Sequence, residues 1–186
     1  MKYFEHESAA TFDEAVSLLK ESPKGKTVVM AGGSDLIGVL KEQILEDYPE
    51  KVVDLKTVRG GEYIKQDGDT IEIGALTKLC DIVKSDLLNE KAPVLSQAAR
   101  SVATPLIRNV ATMGGNICQD VRCWFYRYPH GIGGRMDCMR KGGKECYAVM
   151  GDNRYHSIFG GMKVHTTPCS VPVSYTHLRA HETVLD

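Results

Sequence analysis

Ala31-Gly32-Gly33-Ser34-Asp35-Leu36 and Ala111-Thr112-Met113-Gly114-Gly115-Asn116-Ile117 are two glycine-rich turns, each flanked by apolar residues that read as strand or helix. Glycine reaches positive φ and carries no Cβ, so main-chain N–H groups can converge on anionic oxygens. A single Gly-Gly pair is more often a plain turn than a ligand site. Two in matching contexts point to one extended, phosphate-bearing ligand gripped from both sides. Neither segment has the G-x-G-x-x-G spacing of the dinucleotide fingerprint or the lysine of a P-loop, which excludes those two readings.

Working outward from the first turn, Thr27-Val28-Val29-Met30 is a β-prone run that enters it, and residues 34–40 read as a helix opening behind it. Strand, turn and helix in that order place helix N-terminal amides beside the glycines. Upstream, Phe12, Ala15, Val16, Leu18 and Leu19 have helical spacing after a cap at Thr11, and Pro23-Lys24-Gly25 ends the run. Residues 51–55 read as a returning strand, Gly60-Gly61 as a joint, and residues 63–73 as a hairpin around Asp67-Gly68. Residues 77–103 are helically spaced with a break near Pro93, and residues 104–110 lead into the second turn. The expected class is α+β. From Cys123 onward neither period is present, so a long loop held by something other than a core is expected.

The 186 residues carry a formal charge of −1 and no Lys/Arg run, which leaves no basic stripe for a nucleic acid. No apolar run approaches the roughly 18 residues of a membrane span, and the N-terminus carries acids where a signal peptide is hydrophobic. A globular cytoplasmic protein is expected. In that reducing compartment six cysteines, five of them from Cys118 to Cys169, argue for metal or redox use over disulfides. Cys80 stands apart on an apolar helical face and reads as core. Arg108 reads as a partner for a carboxylate or a phosphate, and His6, His130 and His165 have no visible partner.

Together with Ile73-Gly74-Ala75-Leu76-Thr77, and with the second turn extended back to Ile107-Arg108-Asn109-Val110, these segments resemble in order the three motifs of the FAD-binding subunit of molybdenum hydroxylases. That family includes the flavin domains of xanthine dehydrogenase and carbon monoxide dehydrogenase, and the likeness covers residues 4–119. It implies a vanillyl-alcohol-oxidase-type fold of two subdomains, residues 1–58 and an incomplete 59–122, with the FAD pyrophosphate between the turns. By the same resemblance Ala31, Gly32, Gly33 and Ser34 hold diphosphate oxygens, and Thr112, Gly114, Gly115 and Asn116 contact the pyrophosphate and ribityl region. Leu36 and Leu76 pack near the flavin, and Asp35 either joins them or only caps a helix.

Residues 123–170 narrow the likeness. Cys123, Cys138 and Cys146, followed by Asn153-Arg154-Tyr155-His156, resemble the inserted loop of the flavin subunit of 4-hydroxybenzoyl-CoA reductase, which carries a four-iron (4Fe-4S) cluster. Tyr155 stands where that loop has a fourth cysteine, so His156, Cys118 or Cys169 completes the set, or the site is incomplete, or zinc sits on three cysteines and a histidine. The resemblance further implies a molybdenum-cofactor subunit and a 2Fe-2S subunit as partners, an acceptor such as NAD, and no catalytic acid or base on this chain. Two alternatives stand beside it. One is a metal-binding interaction module without flavin; the other, an oxidase with covalent flavin, lacks a histidine in either glycine turn. Residues 171–186 resemble a tail of translated adaptor or vector sequence, which makes the chain a fragment whose natural frame ends near Ser170.

Overall fold

The computed structural model describes residues 1–45, 47–128, 136–153 and 156. Three short strands, β1 (Glu5–Ser8), β2 (Thr27–Met30) and β3 (Lys51–Asp54), form a parallel sheet in the order β1-β3-β2. Val52 and Val53 of the central strand are fully buried, as a parallel strand covered on both faces requires. Glu-His-Glu-Ser of β1 has no apolar alternation, and its side chains are mostly exposed. Main-chain pairing with β3 alone makes it a strand, so its sequence carries no sign of it.

Helix α1 (Phe12–Glu21) begins where expected. Thr11 Oγ1 accepts the Glu14 N–H at 3.1 Å, and the Glu14 carboxylate reaches back to accept the Ala10 N–H at 2.7 Å. Its Ala15 is buried with Ala9, Val53, Val58 and Leu76. Helix α2 (Leu36–Lys41) follows the first glycine turn.

The hairpin is also present, as β4 (Ile64–Asp67) and β5 (Thr70–Ile73), with Asp67 paired to Thr70. The turn residues are therefore Gly68 and Asp69, one step later than the Asp-Gly reading, and Gly68 takes the positive φ of 58° such turns need. Three helices pack on it: α3 (Leu79–Lys84), α4 (Asp86–Lys91) and α5 (Pro93–Ser101). The break near Pro93 is accompanied by another at Ser85, whose hydroxyl caps α4 by accepting the Leu88 N–H at 3.3 Å. Pro93 opens α5, where a missing N–H costs nothing. Leu79, Ile82 and Leu88 are almost wholly buried in this layer, and each such burial contributes about 1.5–3 kcal/mol.

Helices α6 (Pro105–Arg108) and α7 (Met113–Ile117) complete the part that frames the site. The second glycine segment is thus a short helix and not a turn. Each glycine there costs about 1 kcal/mol in helix propensity; the Thr112 cap and close packing on Ala75 outweigh it. Arg108 meets no carboxylate among the described residues; its Nη1 donates to the carbonyls of Val102 and Ala103 at 2.7 and 3.2 Å. His6 Nε2 lies 3.6 Å from Asp54 Oδ2.

The expectation of a coreless loop after Cys123 is overturned. Cys123, Tyr126, Cys138 and Ala148 are buried with Val39 and Ile44, which come from the end of α2 and just beyond it. A 3₁₀ turn at Met139–Lys141 and α8 (Tyr147–Met150) interrupt the irregular chain. The segment's apolar residues show no period of their own, and their partners Val39 and Ile44 come from far earlier in the sequence. Residues 157–186, including Cys169, His165 and the tail, and likewise His130, Arg154 and Tyr155, lie outside the described residues. No described helix is long and apolar enough to cross a membrane.

Candidate functional site

Residues 31–36, Leu76, Thr112, Gly114 and Gly115 line one cavity of about 440 Å³. The two glycine segments, far apart in sequence, face each other across it. Val28, Met30, Val39 and Leu55 add apolar wall that the sequence reading missed, although the β2 residues immediately precede the first turn. Asn116 lies outside this cavity and lines an adjoining one of about 450 Å³, which shares Ser34, Asp35, Gly115 and Gln119 with the first.

The two segments present different chemistry. In the first, Gly33 has φ of 69°, and the amides of Gly32, Gly33 and Ser34 meet no acceptor among the described residues. Such consecutive amides form a concavity for an anion. Gly32 is fixed by packing: a Cβ there would overlap the Val110 carbonyl of the strand of chain entering the second segment. In the second segment the amides are spent. Met113 N–H donates to Thr77 O at 2.8 Å, Gly114 N–H to Ala75 O at 2.8 Å and Asn116 N–H to Thr112 O at 2.9 Å. Gly115 N–H donates to Thr112 Oγ1 at 3.2 Å. Its glycines permit close approach, since a Cβ on Gly114 would lie 2.9 Å from Ala75 O.

Asp35 stands at the N-cap of α2, but its side chain makes no capping bond. Its carboxylate, 15% exposed, faces two arginines from beyond α7: Arg127 Nη2 donates to both oxygens at 2.9 and 3.1 Å, and Arg122 Nη2 lies 3.1 Å from Oδ1. The Asp120 N–H donates to Asp35 Oδ2 at 3.0 Å. Arg127 is tied further to the carbonyls of Val121 and Asp120 at 2.7 and 3.0 Å. Tyr126 Oη donates to Asp120 Oδ2 at 2.6 Å. Burial first, and then that bond to a carboxylate, push the Tyr126 phenol far above its ordinary range.

The family model described as "FAD binding domain in molybdopterin dehydrogenase" matches residues 2–123. The chain belongs to that family. The FAD-binding subunit of nicotinate dehydrogenase from Eubacterium barkeri is 34% identical over 117 residues, 63% of this chain and 39% of that protein. The aldehyde oxidoreductase FAD-binding subunit of Escherichia coli (strain K12) is 29% identical over 161 residues, 86% of this chain and 48% of that one, a length that takes in Cys123 to Cys146. Among solved structures, carbon monoxide dehydrogenase from Hydrogenophaga pseudoflava, in a form lacking the Mo-pyranopterin moiety of its molybdenum cofactor, matches with a TM-score of 0.59 and 31% identity. That match covers 62% of this chain and 39% of the other. The α+β FAD-binding fold is therefore the fold of this chain, which spans about two fifths of the length of the first of these relatives.

A third, small cavity lies in the segment after α7. Cys123, Cys138, Cys146 and His156 all line it, with Tyr126 and Arg140 among its other walls, in a space of about 20 Å³. Both ring nitrogens of His156 are buried without a hydrogen-bond partner among the described residues, an expensive state for an imidazole. The four side chains ring the space, yet among the described residues no three His, Cys, Asp or Glu close to the geometry of a single ion. Cys118, considered as a substitute ligand, is exposed and lines the larger cavity instead. Cys80 is not core: it is half-buried, its Sγ 3.5 Å from Asp81 Oδ1, and burial with that neighbour pushes its thiol up. Phe125 and Tyr147 meet with ring centroids 6.0 Å apart, packing contacts as an aromatic pair beside a loop anchor should be.

Proposed function

We propose that this chain holds FAD between its two glycine segments and is the electron-transfer part of a molybdenum-containing hydroxylase or dehydrogenase. In this reading it is an oxidoreductase subunit of the cytoplasm. It works with a molybdenum-cofactor subunit and a 2Fe-2S subunit and exchanges electrons with an acceptor such as NAD. The observation that carries it is the single cavity in which the unspent amides of Gly32, Gly33 and Ser34 face the capped helix at Thr112. When bound, FAD supplies the one- and two-electron chemistry. The chain's residues bind and orient. The amides of 32–34 give fixed positive ends to diphosphate oxygens without reorganising, and Val28, Leu36 and Leu76 keep water from a flat ring. No side chain is required to move a proton.

Within that reading, Cys123, Cys138, Cys146 and His156 hold a four-iron cluster that extends the relay. Three thiols and an unpartnered imidazole on one cavity are suitable donors for a thiophilic centre. The space holds a body about the size of one water, so the segment must open to admit a four-iron cube. The aldehyde oxidoreductase subunit's match across these cysteines supports treating them as part of the functional unit.

The test is anaerobic purification with an absorbance spectrum and iron, sulfide and zinc analysis, on the chain and on a Cys138→Ser, Cys146→Ser variant. Flavin bands with iron and sulfide that vanish in the variant are expected. Zinc alone on the thiols would replace the cluster by a single-ion site, and metal without flavin would overturn the flavin reading.

A further inference from the structure

The first glycine turn has an electrostatic difficulty. Asp35 lines the cavity next to the three unspent amides, and a carboxylate there opposes any anion the amides attract. The arginines of the segment after α7 answer it in unequal ways. Arg127, 18% exposed, gives Nη2 to both Asp35 oxygens and is otherwise locked to main-chain carbonyls, which makes it the counter-ion of Asp35. Arg122 is different. Its Nη2 also lies 3.1 Å from Asp35 Oδ1, but no main-chain carbonyl among the described residues holds it: its Nε and Nη2 donate to Gln119 Oε1, at 2.9 and 2.7 Å, which fixes the guanidinium plane, and its side chain stays 46% exposed.

Arg122 is also the sole cation among the described residues that line either of the two adjoining cavities. It stands on the second, where Ser34 and Gly115 form the passage from the first. A dinucleotide whose ring end occupies the apolar first cavity would bring its diphosphate to that passage. Burial lowers the Arg122 pKa, and Asp35 offsets this only in part; an anion would restore the balance.

We propose that Arg122 is the cationic contact for the diphosphate of the bound dinucleotide, set in plane by Gln119 and sharing Asp35 with Arg127, which carries most of that carboxylate's contacts. This rests on the flavin reading above. Its role is binding, and a guanidinium presents the planar fork that diphosphate oxygens match.

The test compares FAD with riboflavin, which has the same ring and no phosphate, by quenching of flavin fluorescence on the purified chain, Arg122→Gln and Arg122→Lys. Loss of one charge-assisted contact is expected to weaken FAD roughly 10- to 100-fold in Arg122→Gln. Riboflavin affinity stays within about twofold of the parent chain, Arg122→Lys recovers part of the loss, and the salt dependence of FAD binding falls. Equal weakening of FAD and riboflavin would assign Arg122 a merely structural role, and unchanged FAD affinity would remove it from the site; either overturns the proposal. If the parent chain binds neither flavin, the flavin reading itself falls and the proposal with it.

Discussion

In the first glycine segment Gly32, Gly33 and Ser34 keep their amides unspent, whereas in the second Met113, Gly114, Gly115 and Asn116 give theirs to Thr77, Ala75 and Thr112. The same dipeptide therefore serves two purposes. In one place it bares main-chain donors toward a cavity; in the other it removes side chains so that a capped helix can lie against residues 75–77. Identical composition is decided by what packs on each segment: Val110 crosses Gly32 so closely that the turn is held open, and Ala75 sits on Gly114 as an acceptor.

The largest effect that probes this contrast is expected from Gly32→Ala. The new Cβ meets backbone, which has no rotamer to turn away, so a loss of about 3 kcal/mol or more is expected, read as a large fall in Tm or failure to accumulate folded chain. A variant that melts like the parent would break the view that Val110 pins the first segment.

A paired comparison sharpens it. Gly33→Ala forces alanine to φ of 69°, at about 1–2 kcal/mol, while Thr112→Ala removes the cap on Gly115 N–H, at about 1 kcal/mol. For these similar stability losses, FAD affinity should fall clearly more in Gly33→Ala. Equal losses of affinity would mean the two segments do not differ in function. Thr112→Ser should melt like the parent.

The smallest effect appears only in alkali. Tyr126 keeps its proton in the folded chain well above the tyrosine range, whereas the unfolded chain releases it near pH 10. Above that pH the unfolded state binds fewer protons, so stability falls as pH rises. Denaturant titrations from pH 9 to 11 should show this slope in the parent and a shallower one in Tyr126→Phe; equal slopes would remove Tyr126 from the account.

Much of the frame is legible in the sequence because it is local. Thr11 with Glu14, the apolar spacing of α1, the β-branched run of β2 and the hairpin around Gly68 all declare themselves within a few residues. What escapes is set by distant chain. β1 is a strand only because β3 lies beside it; residues 113–117 are helical only because Thr112 and residues 75–77 receive them. The thiol segment gains a core from Val39 and Ile44. The site divides likewise. Cys123, Cys138, Cys146 and His156, close in sequence, line one cavity, while the bond from Asp35 to Arg127 spans 92 residues that no local pattern connects.

That span orders events in time. A ribosome adding about 5–20 residues per second delivers Arg127 roughly 5–18 s after Asp35. During this interval the newborn first turn carries its carboxylate with no counter-ion from the later segment. The cavity between the two glycine segments therefore gains its full set of charges only once the chain has been made through Arg127.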